Sequence, residues 1–244
     1  MLTDYNAIAA QYRRSKQVAW RYYIEQYSLC KLAGEVVGLS VLDLACGEGF
    51  YTRVFKERGA SRVVGVDIST KMINLAVLAE EGEPLGIEYL VGDARSVHFA
   101  STFDLVAAAY LLNYARSEQE LLSMAKTIHQ SLKPGGRFVA VNNNPNQHPS
   151  SYGNTQKYGF VKKALGELRN GAAIQYMFGQ DGEDFMIENY YLDTATHVSV
   201  FQEVGFSDVH WHAPRLESSQ AVANQEYWAD FFHDPPIALF TCKK

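Results

Sequence analysis

The chain has 244 residues, 47% of them hydrophobic, and its 22 basic and 27 acidic side chains give a formal net charge of −5. This length and composition indicate one globular domain with a full core and exclude disordered and fibrous classes. The acidic balance offers no general attraction to a phosphate backbone, so we expect no nucleic-acid partner.

The N-terminal sequence has no apolar signal-peptide core, and the longest apolar run, LVAAAYLL, is far shorter than a membrane span of about 20 residues. We therefore expect a cytoplasmic protein with no membrane partner. The three cysteines, Cys30, Cys46 and Cys242, show no paired spacing, which argues against a disulfide framework and a structural zinc site.

The first segment has aromatic and aliphatic residues at helical spacing, which predicts one or two amphipathic helices over residues 3–32. The pattern then changes to short apolar strands that alternate with helices. The predicted strands cover residues 40–45, 62–67, 87–93 and 103–110, with helices over about 50–58 and 69–80. This alternation predicts a mostly parallel sheet with helices on both faces, a Rossmann-like, doubly wound α/β fold.

One further helix and strand continue the alternation. Ser117 and Glu120 have the spacing of a capping box, the apolar residues that follow mark a buried helix face, and Pro134 with Gly135 ends the helix. The next strand is predicted over 137–143.

Residues 145–192 interrupt this rhythm. The aromatic segments 172–178 and 185–192 flank the turn GQDGED, which predicts a β-hairpin. After a helix over 193–204, we expect two strands, 206–212 and 236–243, to pair antiparallel at the sheet edge. The single domain, 1–244, then has four parts: an N-terminal helical cover (1–36), a cofactor-binding core (39–143), an inserted substrate lid (145–192), and C-terminal helices and edge strands (193–244).

The segment VLDLACGEGFYT joins the first strand to the first helix of the alternation. Gly47 and Gly49 allow a sharp turn and a close approach of backbone to a ligand, next to the free N–H groups of a helix start. Asp67 ends the second strand, where a carboxylate can accept both ribose hydroxyls, and Asp93 ends the third. The combination predicts a nucleoside-binding site.

The details of the loop favour one cofactor. A dinucleotide-binding loop has a third glycine where Thr52 stands, and Asp43 before the loop would repel a pyrophosphate. An acid there suits a ligand with a cationic end, such as an amino-acid ammonium group. We therefore expect S-adenosylmethionine as cofactor, with S-adenosylhomocysteine as product.

The motifs VLDLACGEG, VVGVDIS, VGDA, FDLVAAAYLLNY and LKPGGRFVAV resemble, in order and spacing, those of class I S-adenosylmethionine-dependent methyltransferases over residues 39–143. The resemblance implies a seven-stranded sheet and methyl transfer, although the family usually has glycine where Ala45 stands. It implies that the methionine part is held by Asp43, Ala45, Gly47 and Gly49, the ribose by Asp67, the adenine faces by Ile68 and Met72, and the adenine edge by Asp93 and Ala94. More distantly, NYARSEQELL, residues 157–159, Tyr227 with Trp228 and the late CK are similar to the toxoflavin synthase family of azapteridine N-methyltransferases.

In this family the end of the fourth strand faces the methyl group, which makes Tyr110, Asn113 and Tyr114 candidates near the reacting centre. No (D/N)PPY motif occurs there, which argues against the amino-methyltransferases of DNA and protein glutamine. Methyl transfer from a sulfonium is an in-line displacement that orientation alone can accelerate, so a base is optional. His148, at the start of the insertion, is the best-placed base by sequence.

We expect a lid built from the N-terminal helices and the hairpin, with a dry aromatic pocket beneath it. The substrate candidates are Tyr12, Tyr110, Tyr114, Asn143 and Tyr176. Such a pocket suits a flat heterocycle or phenol. His210 and His212 share a strand face, but no third ligand is identifiable, so we predict no metal.

Three functions remain open. The first is transfer to nitrogen or oxygen of a small, flat metabolite, azapteridine-like in chemistry, by a monomer or homodimer. The second is methylation of a macromolecule such as tRNA or a peptide. The third is a cofactor-binding partner subunit without turnover.

Overall fold

The computed structural model describes residues 18–179, 185–219 and 225–244. Its strands are β1 Ser40–Leu44, β2 Arg62–Asp67, β3 Glu88–Val91, β4 Phe103–Ala109, β5 Leu132–Asn143, β6 Phe160–Ala164, β7 Ala173–Phe178, β8 Phe185–Tyr190, β9 Ser207–His212 and β10 Ile237–Lys243. A π-helical segment, Arg21–Gln26, leads into α1; the α-helices are α1 Tyr27–Ala33, α2 Phe50–Glu57, α3 Thr70–Gly82, α4 Glu118–Ser131, α5 Thr194–Val204 and α6 Gln225–His233.

Seven strands form one sheet in the order β3-β2-β1-β4-β5-β10-β9. The five strands from β3 to β5 run parallel, whereas β10 is antiparallel to both of its neighbours. This confirms the predicted doubly wound fold and the antiparallel pair at its edge. Because the strand order reverses between β1 and β4, their carboxyl ends open a crevice, the usual ligand position in such folds.

The inner strands β1, β2 and β4 are buried on both faces of the sheet, as their continuous apolar sequences predict. Leu42 and Leu44 pack into a core cluster with residues of α4 and α5, whereas Val41, the residue before Leu42, packs with α1 and α2. Successive strand residues point to opposite faces, so one strand anchors both helix layers. The site at the strand ends therefore rests on a rigid support.

Side-chain caps fix where several helices begin. The Ser69 hydroxyl accepts from the Met72 N–H at the start of α3, and the Asp193 carboxylate accepts from the Thr196 N–H at the start of α5. The expected capping box is only half formed: Ser117 accepts from the Glu120 N–H, but the Glu120 carboxylate accepts from the Arg116 N–H. This leaves the other Glu120 oxygen directed to Arg95.

The end of α4 differs from the prediction. The helix ends at Ser131, before Pro134, and β5 begins at Leu132. The early start of β5 has a physical reason: the C-terminal residue pairs with it, since the Gly135 N–H donates to the Lys244 carbonyl and the Lys244 N–H donates to the Gly136 carbonyl.

A second, three-stranded antiparallel sheet, β6-β7-β8, lies between β5 and α5 in the chain. The predicted hairpin is confirmed as β7 and β8, with Phe178 and Phe185 stacked 4.8 Å apart between ring centroids. The sequence analysis missed β6. The sheet packs against Trp20 from the N-terminal segment and Trp228 from α6 in one aromatic cluster.

Within residues 18–179, 185–219 and 225–244, no helix is long and apolar enough to cross a bilayer. The same residues contain no group of three histidine, cysteine or acidic side chains that could bind a metal ion.

Candidate active site

The loop after β1 turns through three residues with positive φ: Ala45 at 60°, Gly47 at 58° and Gly49 at 86°. This region of backbone conformation is open to glycine and strained for residues with a Cβ. The left-handed conformation of Ala45 explains physically why glycine suits that position. The turn brings the backbone of Gly47 to the crevice between β1 and β4.

The two glycines of the loop serve different purposes. Apart from its chain neighbours, a Cβ at Gly47 would meet no atom of the described residues within 4 Å, and Gly47 lines a cavity at the strand ends. A Cβ at Gly49 would instead overlap the Tyr89 hydroxyl. Gly47 therefore leaves room for a ligand, whereas Gly49 leaves room for the side chain of a neighbouring strand.

Asp67, at the end of β2, holds this loop in place. Its carboxylate accepts from the Gly47 N–H at 2.9 Å and from the Ser69 N–H at 2.8 Å, and the side chain lines the cavity. Asp43 is buried behind the loop, where it accepts from the Thr52 hydroxyl at 2.7 Å, and it does not line the cavity. Asp67 can therefore touch a ligand directly, while Asp43 supports the loop and the start of α2.

The part of the cavity that follows β2 and β3 has two apolar walls and an acidic edge. Ile68 is 60% exposed, Met72 is buried, and both line the cavity with Asp93 and Ala94. The Asp93 carboxylate is held by the Arg95 guanidinium, at 2.6 Å from Nη2, and this hydrogen bonding lowers its pKa. Asp93 therefore stays ionised and can accept a hydrogen bond from a nitrogen donor.

Four further residues line this cavity that the sequence analysis did not predict: Arg95, Arg116, Glu120 and Met124. Arg95 follows Asp93 by two residues, and Glu120 lies in the first turn of α4, at the same sheet edge. Their positions in the sequence, after a predicted strand and at the start of a predicted helix, could have indicated that they lie at the site. The Arg95 guanidinium lies 3.5 Å from the Glu120 carboxylate and links the two walls.

These residues fit S-adenosylmethionine. The cavity offers a glycine whose Cβ space is free, a strand-end carboxylate for paired hydroxyls, and an apolar slot with an ionised acid at its edge. Asp67, Asp93 and Glu120 outnumber Arg95 and Arg116 in the lining, so one net negative charge remains to suit a cationic ligand. Cys46, in the same loop, is buried, which raises the pKa of its thiol and makes it unsuited to nucleophilic chemistry.

We call this cavity at the strand ends the cofactor cavity. A second cavity adjoins it, and Tyr110 and Tyr114 line both. We call it the aromatic cavity. It is lined by Trp20, Arg21, Tyr110, Tyr114, Asn143, Phe160, Tyr176, Phe178, Ile187, Asn189, Pro236 and Ile237. The structure thus brings four of the five predicted substrate residues together, while Tyr12 lies outside the described residues.

Polar groups in the aromatic cavity are few. The Asn143 side chain donates to the Asn189 side-chain oxygen at 3.3 Å. The Tyr176 hydroxyl is buried and has no hydrogen-bond partner in the described part of the chain. Burial raises the pKa of this phenol well above its ordinary value, so it remains a donor.

Two predicted catalytic residues lie elsewhere. Asn113 lines neither cavity; its side-chain oxygen accepts from the Asn143 N–H at 3.3 Å, so it shapes the end of β5. His148 is exposed, and its ring nitrogen Nδ1 lies 2.7 Å from the Ser150 hydroxyl at a short 3₁₀ helix. Since His148 faces solvent and lines neither cavity, we withdraw it as the candidate base.

Comparison with known proteins shows which family the chain belongs to. The family described as "Methyltransferase domain" matches residues 41–136. The chain is 30% identical over 219 residues to a demethylmenaquinone methyltransferase of Lactococcus lactis, covering 86% of this chain and 80% of the relative. It is 28% identical to a ubiquinone/menaquinone biosynthesis C-methyltransferase of Desulfotalea psychrophila, covering 85% and 82%. A crystal structure of an S-adenosylmethionine-dependent methyltransferase from Mesorhizobium loti superposes with a TM-score of 0.66 at 23% identity, covering 94% and 100%.

The chain belongs to the class I S-adenosylmethionine-dependent methyltransferases. Its cofactor is S-adenosylmethionine, as the loop chemistry predicts.

Proposed function

We propose that the protein transfers a methyl group from S-adenosylmethionine to a small, flat aromatic or heterocyclic acceptor held in the aromatic cavity. The observation that carries this proposal is the shared wall: Tyr110 and Tyr114 separate a cavity that fits the cofactor from one lined by aromatic rings. An acceptor there would lie beside the cofactor and away from water, which is the arrangement that accelerates a displacement. A polymer does not suit a cavity enclosed in this way.

On this proposal, Ala45 and Gly47 contact the methionine part, Asp67 the ribose, and Ile68, Met72, Asp93 and Ala94 the adenine. Residues 145–192 then serve as the substrate lid of a single methyltransferase domain. Aromatic stacking holds the flat acceptor, and the Tyr176 hydroxyl donates a hydrogen bond to it. The acceptor would therefore carry a carbonyl, hydroxyl or ring-nitrogen acceptor atom.

The relatives widen the chemistry of the acceptor. Two of them are quinone methyltransferases by name, one a C-methyltransferase. A quinol is flat and carries hydroxyl groups, so it fits the same cavity chemistry as the N- and O-acceptors expected from the sequence. An azapteridine-like acceptor stays a prediction.

The test is incubation with S-adenosylmethionine labelled in its methyl group, fractionated small-molecule extract, and a demethylmenaquinol analogue as a separate arm. Mass analysis of the labelled product identifies the acceptor.

Tyr176→Phe should reduce kcat/KM about tenfold, the loss of one hydrogen bond. Tyr89→Phe is the matched control, because Tyr89 also has a buried hydroxyl without a partner among the described residues but lines neither cavity. Label found only in RNA or protein would contradict the proposal.

A further inference from the structure

A buried ion pair lies beneath the wall that the two cavities share. Arg21 and Glu25, one turn apart in the N-terminal helical segment, are 3% and 0% exposed, and the Arg21 Nη1 atom lies 2.8 Å from Glu25 Oε2. Taking two charges out of water is costly, and hydrophobic side chains of similar size often stabilise such a position better. The pair therefore calls for an explanation beyond packing.

Two tyrosines donate to the two oxygens of this one carboxylate. The Tyr51 hydroxyl donates to Glu25 Oε1 at 2.6 Å, and the Tyr110 hydroxyl donates to Glu25 Oε2. Of these two tyrosines, Tyr110 lines both the cofactor cavity and the aromatic cavity, whereas Tyr51 lines neither. The carboxylate is thus connected to the site through one phenol and to the interior of the protein through the other.

The backbone of Tyr110 holds this phenol in an unfavourable conformation. Its φ is 67°, in the left-handed region, which is strained for an aromatic residue. The Tyr110 N–H donates to the Val141 carbonyl at 2.7 Å, which fixes the turn at the end of β4. Strain of this kind persists where the surrounding structure enforces it, and it concentrates at functional sites.

We propose that Glu25 receives the acceptor's proton through Tyr110 during methyl transfer. This rests on the proposed function, because it needs an acceptor with an N–H or O–H group in the aromatic cavity. As the acceptor–methyl bond forms and the sulfur–methyl bond breaks, the acceptor's proton passes to Tyr110 Oη, and the Tyr110 proton passes to Glu25 Oε2. Once the product has left, the proton returns from Glu25 through Tyr110 to water in the open cavity, which restores the site.

The charges of the site support this assignment. Before transfer, the site holds the cationic sulfonium, the Arg21 guanidinium and the Glu25 carboxylate. After transfer, the sulfur is neutral and the proton on Glu25 carries the charge that the sulfur lost. The total charge therefore stays constant in a buried region, where a change would be expensive.

The first experiment compares Glu25→Gln, Glu25→Asp, Tyr110→Phe and Tyr51→Phe in the labelled-methyl assay, with S-adenosylhomocysteine affinity measured by calorimetry. We expect Glu25→Gln and Tyr110→Phe to lower kcat about a hundredfold, the usual size of a lost proton acceptor. Glu25→Asp should recover part of the rate. S-adenosylhomocysteine affinity should stay within about threefold in all four variants, a change of about 0.7 kcal/mol or less.

Tyr51→Phe is the matched control, since Tyr51 bonds the same carboxylate from the other side. A structural role for Glu25 predicts similar losses for Tyr51→Phe and Tyr110→Phe, and that result overturns the proposal. A Glu25→Gln enzyme that transfers at the wild-type rate overturns it too. We expect Tyr51→Phe to keep its rate within about threefold, as for a lost neutral hydrogen bond.

A second experiment needs no acceptor. Glu25→Gln removes one negative charge from beside the cofactor cavity, so it should weaken binding of cationic S-adenosylmethionine about fivefold more than binding of neutral S-adenosylhomocysteine. Equal changes for the two ligands overturn the proposal. If no small-molecule product is found, the proposed function itself fails. The calorimetric comparison still tests the role of Glu25 in that case, because it needs no acceptor.

Discussion

The cofactor cavity and the aromatic cavity share two tyrosines but are assembled differently. Among the described residues, the sixteen that line the cofactor cavity lie between Ala45 and Met124, mostly on strand ends and the loops after them. The aromatic cavity draws on segments scattered from Trp20 to Ile237. The first cavity is built by local motifs, whereas the second exists only after distant parts of the chain have packed.

Because of this difference, we expect substitutions in the two cavities to have different effects on binding and stability. The cofactor cavity depends on backbone conformation and on carboxylates that backbone N–H groups hold, so single changes there should affect binding before stability. The aromatic cavity shares its wall with the cluster of Trp20, Trp228 and Phe231. Changes there should therefore affect stability together with acceptor binding.

The largest expected effect is in the cofactor cavity. Gly47→Val should lower S-adenosylhomocysteine affinity a thousandfold or more, about 4 kcal/mol, because the new side chain would occupy cavity space that the described residues leave open to a ligand. Calorimetry measures this. Gly38→Val is the control: Gly38 also has a positive φ and open space at its Cβ but does not line the cavity. If Gly47→Val and Gly38→Val bound S-adenosylhomocysteine with equal affinity, the loop would not contact the ligand.

The second prediction concerns the other region. Lys162, on β6, is buried with its Nζ 4.5 Å from the centroid of the Tyr152 ring, and burial lowers its pKa to about 7, although Asp234 opposes this. Between pH 7 and the unfolded value of 10.5, only the unfolded chain binds this proton, so stability rises with pH. Lys162→Met should therefore raise the free energy of unfolding by about 3 kcal/mol at pH 7 and by much less at pH 10.

Urea unfolding of both proteins at the two pH values measures the difference. Lys163→Met is the matched control, because Lys163 is the exposed neighbour on the same strand. A destabilised Lys162→Met at pH 7 would mean that the amine makes a contact the fold requires.

The same contrast explains what the sequence could predict. The loop, Asp67 and Asp93 were predictable because strand–turn–helix signals are local, and parallel strands bring their carboxyl ends to one edge. Strand β6 was missed because FVKKA has two lysines, and only tertiary packing buries one of them. Arg21 and Glu25 have the spacing of an ordinary surface pair on a helix. The local sequence does not show that the Tyr51 and Tyr110 hydroxyls donate to Glu25 in the folded protein.

Asp67→Ala should weaken S-adenosylhomocysteine binding by about 1.5 to 3 kcal/mol, since the ribose loses its charged acceptor and the Gly47 N–H loses its partner. Asp104→Ala is the control at the opposite edge of the sheet, where the carboxylate accepts from the Ser40 N–H at 2.8 Å. It should reduce stability without changing affinity. Equal calorimetric affinity for Asp67→Ala and the wild type would remove Asp67 from the site.

The smallest expected effect is at Ala45, whose φ of 60° is strained for any residue with a Cβ. Ala45→Gly relieves about 1 kcal/mol of strain but also adds freedom to the unfolded chain, so the net gain in unfolding free energy should be about 0.5 kcal/mol. Ser101→Gly, at φ 47° and outside the cavity, should give a similar gain. If Ala45→Gly alone lost S-adenosylhomocysteine affinity tenfold, about 1.4 kcal/mol, the Ala45 methyl group would be a ligand contact, and more than backbone shape would define the loop.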